Sequence, residues 1–159
     1  MSPLRKIYVS GALMASVDIA SARAKYEACA SVLERAGYEP YLPHRRTDPE
    51  AASDLQDKAV FSHDMKALLG SDAVVAFLDE PSHGVGAELA ICAFRRIPTL
   101  ALAPIDARIS RFISGMLEES GQSALVPFKA IADLETIVPD QLERLLSKRG
   151  LRTPSRLWQ

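Results

Sequence analysis

Cysteine, an excess of either charge and long apolar runs are all scarce in this chain. Its two cysteines, Cys29 and Cys92, stand far apart in helical patterns beside Ala and Ile, with no CxxC spacing and no adjacent histidine. That argues against a disulfide framework and a thiolate metal site, and reads both as small buried hydrophobes. His44, His63 and His83 lie apart, without the i, i+4 partner or carboxylate spacing of a zinc site, so neither metal nor cofactor is expected. Nineteen Lys and Arg against twenty Asp and Glu leave a net charge of -1. Neutralising a phosphate backbone along a groove needs a basic excess, so nucleic acid is not an expected partner. The longest apolar run, near Ala73 to Leu78, falls far short of the roughly 18 residues of a membrane span, and no membrane partner is expected. The stretch MSPLRKIYVSG holds no apolar h-region of the kind that marks a signal peptide, which predicts a cytoplasmic protein.

What remains is ordinary globular material: 159 residues, 48% apolar and 25% charged. This length predicts one domain over residues 1–150 and a polar tail over 151–159. Periodicity divides the domain into strands and helices. RKIYVSG reads as a strand, Ile19 to Ala36 as a helix capped by Gly37, and YEPYLP as a second strand. HRRTDPEAASDLQD reads as a long loop before a helix near Lys58 to Leu69. DAVVAFL is a strand covered on both faces, and DEPSHGVG turns into a helix near Gly86 to Arg95. TLALAP, a helix over Arg108 to Glu119, ALVPF, and an amphipathic helix over Leu134 to Lys148 complete the pattern. Five alternations with helical crossovers predict a doubly wound, Rossmann-like α/β fold, a five-stranded parallel sheet with helices on both faces. Ligands of such sheets bind outside the carboxyl ends of the strands, which directs attention to residues 10–16, 44–49, 79–86 and 104–110.

DEPSHGVGAEL is the most informative of these stretches. Glycines at Gly84 and Gly86 before a helix suit an anion, because backbone N–H groups and the positive end of the helix dipole are exposed there; they equally suit a tight connection. Glu88 would sit in the first turn, held ionised by the dipole, either as a favourable surface charge or as a catalytic group. Asp64 precedes it by 24 residues, beside His63, where a helix-face carboxylate is commonly solvent decoration. Tyr8, two residues before Ser10, is either core or a hydroxyl aimed at the crevice. A basic loop such as His44-Arg45-Arg46 is commonly solvated surface.

KIYVSGAL, SHDMKALLGSDAVVAFLDEPSHGVGAELAICAFRRIPTL and ARISRFISG together resemble the nucleoside 2-deoxyribosyltransferase superfamily over roughly Lys6 to Gly115. PSHGVGAEL is most similar to the phosphate-binding turn of its 2'-deoxynucleoside 5'-monophosphate N-glycosidase branch. LPHRRTDP resembles a histidine and arginine loop of the cytidine monophosphate hydrolases in the same superfamily.

The resemblance implies a nucleophile at Glu88, a second acid at Asp64, and at Tyr8 a hydroxyl that orients the glutamate. It implies substrate or phosphate contacts from Ser82, Gly84, Gly86 and Gly11, and draws His44 and Arg45 into the same set. It places Ser110 where a neighbouring subunit reaches the phosphate, implying a homodimer with shared sites acting on a small nucleotide or nucleoside. The chain departs from the pattern at Ala12, where the monophosphate glycosidases carry a serine, and the basic residue expected shortly afterwards is absent from ALMASVD. Arg45, Arg46 and Arg108 are the cations that could replace it. The activity implied is hydrolysis of (deoxy)nucleoside 5'-monophosphates to base and (deoxy)ribose 5-phosphate. The alternatives are base exchange on unphosphorylated deoxynucleosides, and nucleotide binding without turnover.

Overall fold

The computed structural model describes residues 3–13, 16–48 and 50–148; the expected tail lies outside the described residues. The chain order is β1 (Arg5–Ser10), α1 (Ile19–Arg35), β2 (Tyr38–Tyr41), α2 (His44–Thr47), α3 (Asp57–Leu69), β3 (Ala73–Phe77), α4 (His83–Arg95), β4 (Thr99–Pro104), α5 (Arg111–Ser120), β5 (Ser123–Phe128) and α6 (Leu134–Lys148), with a 3-10 turn over Ile131–Asp133 before α6. All neighbouring strands pair parallel, in the order β2-β1-β3-β4-β5. This is the doubly wound α/β sheet that the alternating pattern predicts.

Side chains alternate across each strand, and the two faces receive different helices. Ile7, Val9, Val75, Phe77, Leu100 and Leu102 form one core with α1 and α6; Tyr8, Val74, Ala76 and Ala101 form the other with α3, α4 and α5. β3, covered on both sides, is buried along its whole length, which is why its sequence is continuously apolar. Among the described residues no helix is long and apolar enough to cross a membrane.

Three local features differ from expectation. The stretch read as a loop contains α2, too short to show a helical period, and tied down by His44 and Arg45, which both bond Glu27 on α1. Helix α4 begins at His83 rather than near Gly86 because Ser82 caps it, its Oγ accepting from the Val85 N–H at 3.4 Å. Gly84 and Gly86 are therefore helical residues, not a turn before the helix. Helix α5 begins at Arg111, with Ser110 at its N-cap position. As expected, Gly37 follows α1 at φ +82°, the left-handed geometry that a side chain would strain.

Candidate functional site

After β1 the chain crosses to one face of the sheet through α1, whereas after β3 it turns to the other through α4. The carboxyl ends of these adjacent strands therefore diverge, opening the crevice where doubly wound folds bind ligands. A cleft of about 530 Å³ lies here, with Gly11, His44, Asp64, Ser82, Gly84 and Glu88 on its walls. Six of the residues singled out in the sequence thus converge on one space.

Glu88 lies in the second turn of α4, beside the buried stripe Val85, Leu89 and Cys92, and points back to β1. Both of its oxygens are held. The Tyr8 hydroxyl donates to Oε1 at 2.6 Å and the Ser10 hydroxyl donates to Oε2 at 2.5 Å. Tyr8 and Ser10 are two residues apart on one strand and so share a face, 0% and 1% exposed. Ser10 was not among the expected site residues, although that spacing beside Tyr8 is visible in the sequence. The tyrosine ring stacks on Tyr41 with centroids 5.5 Å apart, and burial together with the Glu88 charge pushes its pKa well up, so it stays a donor.

The electrostatics of Glu88 run opposite to the expectation from its helix. Burial pushes its carboxyl above the ordinary range, the Asp64 charge adds to this, and the hydroxyls of Ser10 and Tyr8 offset only part. The helix dipole fades within the first turn, and Glu88 lies beyond it.

Asp64 reaches the cleft from α3. Burial raises its pKa as well, against the pull of Thr47, Tyr41 and His63. Thr47 Oγ1 lies 3.2 Å from each Asp64 oxygen and 3.0 Å from the Pro43 carbonyl, while Tyr41 Oη lies 3.5 Å from Asp64 Oδ1. A threonine hydroxyl has one hydrogen for these three acceptors. The Pro43 carbonyl already accepts the Arg46 and Thr47 amides, so the Thr47 hydroxyl is free to donate to Asp64, as the Tyr41 hydroxyl does at longer range. The site thus offers two carboxyls, Glu88 held by two short hydroxyl bonds and Asp64 by longer ones, each pushed upward by burial. Thr47, too, was not expected from sequence.

The wall over residues 52–61 is held by Asp48, 3% exposed, whose Oδ1 accepts from the amides of Glu50 and Ala51 at 2.9 and 3.0 Å. Arg23 adds two bonds to Asp48 at 2.7 Å. Leu55, Val60 and Phe61 make part of this wall apolar. A half-buried ion pair between Lys25 and Asp79 braces the segment that leads into Ser82.

The remaining expected residues divide. Gly86, Arg108 and Ser110 line an adjoining cleft of about 750 Å³, which shares Ser82 and Val85 with the first. Arg45 does not line the Glu88 cleft: Glu27 binds it through two bonds, and it faces a third cleft with Arg46, His63 and Lys66. Those bonds, with help from His44, hold the Glu27 carboxyl down at about 2. A Cβ on Gly84 would meet its nearest neighbour at 3.8 Å and one on Gly86 would meet nothing, so the chain's own packing requires neither glycine. Gly11 is different, since a Cβ there would lie 2.2 Å from Cζ of Tyr26. Among the described residues no three His, Cys, Asp or Glu side chains gather as a metal site would need.

Known proteins share this fold. A 2-deoxyribosyltransferase from Bacillus psychrosaccharolyticus superposes with a TM-score of 0.62 at 18% identity, covering 82% of this chain and 90% of its own. The CMP N-glycosidase BcmB of Clostridium botulinum superposes with a TM-score of 0.58 at 15% identity, covering 87% and 99%. At these identities the likeness is one of fold. In sequence, a Methanosarcina barkeri protein provisionally named a 2'-deoxynucleoside 5'-phosphate N-hydrolase is 31% identical over 128 residues, 79% of this chain and 78% of that one. The model of the nucleoside 2-deoxyribosyltransferase family matches residues 7–124, a span that runs from β1 into β5 and includes Tyr8, Asp64 and Glu88, and the chain belongs to that family.

Proposed function

We propose that this protein hydrolyses the N-glycosidic bond of (deoxy)nucleoside 5'-monophosphates, releasing the base and (deoxy)ribose 5-phosphate. The observation that carries the reading is the pair of carboxyls facing one cleft, Glu88 held by Tyr8 and Ser10, and Asp64 with its carboxyl pushed up by burial. Cleaving this bond builds positive charge on the sugar and negative charge on the departing base, so each end needs its own group. Ionised Glu88 opposes the charge at C1' and attacks it, forming an ester as the C1'–N bond breaks. The Asp64 proton passes to the leaving base. Water then attacks C1', the ester bond breaks, and Asp64 recovers a proton.

The adjoining cleft suits the 5'-phosphate. It presents Ser82, Gly86 and Ser110 at the ends of α4 and α5, and Arg108 is the cation on its wall. Arg108, rather than the engaged Arg45, is thus the replacement for the charge missing after Ala12. The open space over Gly84 and Gly86 supports close approach of a ligand to the backbone. Four relatives named for 2'-deoxynucleoside 5'-phosphate hydrolysis, at 29 to 31% identity, favour a phosphorylated substrate. Phe112, 77% exposed on α5 beside Ser110, supports the homodimer implied by the resemblance. Ala12 itself favours a second reading, base exchange on unphosphorylated deoxynucleosides.

A chromatographic time course with ribo- and deoxynucleoside 5'-monophosphates and free deoxynucleosides, each with and without an acceptor base, tests these readings. Free base from monophosphates alone is the expected result. A new nucleoside formed only with acceptor would transfer the assignment to base exchange, and no product from any substrate would remove both.

A further inference from the structure

Both oxygens of Glu88 are held, Oε1 by the Tyr8 hydroxyl and Oε2 by the Ser10 hydroxyl. The two donors are not equivalent. Tyr8 is fixed by its ring, wholly buried and stacked on Tyr41, so its hydroxyl lies where the strand and stack put it. Ser10 is the last residue of β1, next to Gly11 on the cleft wall, and its hydroxyl turns about a single bond. While both donors are engaged, neither carboxylate oxygen presents its full electron density to a substrate.

We propose that Ser10 is a positioning residue that latches Oε2 of Glu88 in the ionised state between turnovers and releases it as the attacking atom, while Tyr8 retains Oε1 throughout. The proposal rests on the assignment of Glu88 as nucleophile. In the attack, the Oε2–C1' bond forms, the base departs with the Asp64 proton, and the Ser10 hydroxyl rotates away with its hydrogen; no proton moves between Ser10 and Glu88. When water has displaced the ester, Oε2 is again anionic and the latch closes. The latch keeps Glu88 charged despite its burial, and so sets how acidic a solution the enzyme tolerates.

Ser10→Ala removes the donor and leaves the strand intact. The acid limb of kcat/KM, which reports the free enzyme, should move to higher pH by about one to two pH units. At the top of the profile, where Glu88 is ionised without help and Asp64 still holds its proton, the loss should be smaller than on the acid side. Ser10→Cys, with a weaker S–H donor, should fall between the two. Loss by the same factor at every pH, or an unmoved acid limb, would overturn the latch. Glu88→Gln run in parallel keeps the questions apart: if it retains turnover, the nucleophile assignment fails and with it the basis of the latch.

Discussion

Glu88 is held at the expense of stability, and Glu88→Gln exposes this. Glutamine keeps the shape of the side chain. Its carbonyl oxygen accepts from Tyr8, and its amide donates to Ser10, whose hydroxyl changes from donor to acceptor. Only the charge is lost. Because burial places the folded pKa of Glu88 above its unfolded value, the folded state binds that proton more tightly. The stabilisation is complete below the ordinary carboxyl range and is lost as pH rises through the raised folded value. At neutral pH and above, the native protein therefore carries ionised Glu88 at a cost. Each tenfold difference in proton affinity between folded and unfolded states corresponds to about 1.4 kcal/mol. For a domain of this size that is a change in melting temperature of about 3 to 5 °C. Glu88→Gln should thus melt above wild type at pH 8, with the gap closing as pH falls into the ordinary carboxyl range, while turnover drops by orders of magnitude. Thermal unfolding followed by circular dichroism across that range checks this. A variant melting below wild type at pH 8, or a gap that does not depend on pH, would refute the account of Glu88 as a strained charge.

Three further outcomes are expected. Asp48→Ala removes the acceptor of two amides and Arg23; it should lower stability by about 1 to 3 kcal/mol and raise KM, with hydrogen exchange speeding up over residues 50–56. Exchange unchanged in that segment would show that Asp48 does not hold the wall. Gly11→Ala drives a methyl into the Tyr26 ring and should cost about 1 to 3 kcal/mol, with disturbance of the Tyr26 hydroxyl's bond to the Ala12 carbonyl; a melting temperature equal to wild type would contradict the close contact. Cys29 and Cys92, whose thiols burial pushes up to about 12, should resist iodoacetamide in the native protein at pH 8 and react after unfolding, and native labelling would contradict their burial.

The parts of the fold legible in the sequence are those whose period is long enough to register. β3 reads as a doubly covered strand because five consecutive buried residues leave a continuous apolar run. α2 does not, since four residues cannot show a 3.6-residue period and it is secured by Glu27, 17 residues earlier on another element. The glycines of α4 suggested a turn because glycine is costly in a helix interior, yet near the N-terminus the local cap of Ser82 outweighs that preference. In the site, the resemblance drew attention to Tyr8, Asp64 and Glu88, whereas the second donor to Glu88 and the partner of Asp64 depend on distances no motif encodes. Arg45 illustrates the reverse case: a cation beside the crevice in sequence, but taken up by a carboxylate on α1 in space.

The bonds from Tyr8 and Ser10 to Glu88 span 80 and 78 residues. Bringing together points so distant along a flexible chain costs on the order of 4 kcal/mol in closure entropy, so the clamp has no existence before the sheet forms. It also demands the correct alignment of β1 against β3, with Tyr8 opposite Val74 and Ser10 opposite Ala76. A slip of β1 by one residue would turn Ile7 and Val9 toward α4 and send both hydroxyls to the face packed by α1. Such a chain would keep its helices and much of its compactness, yet Glu88 would lie against hydrocarbon and hold its proton. During refolding, the return of turnover should therefore lag behind the return of helical signal and report the registration of the central strands.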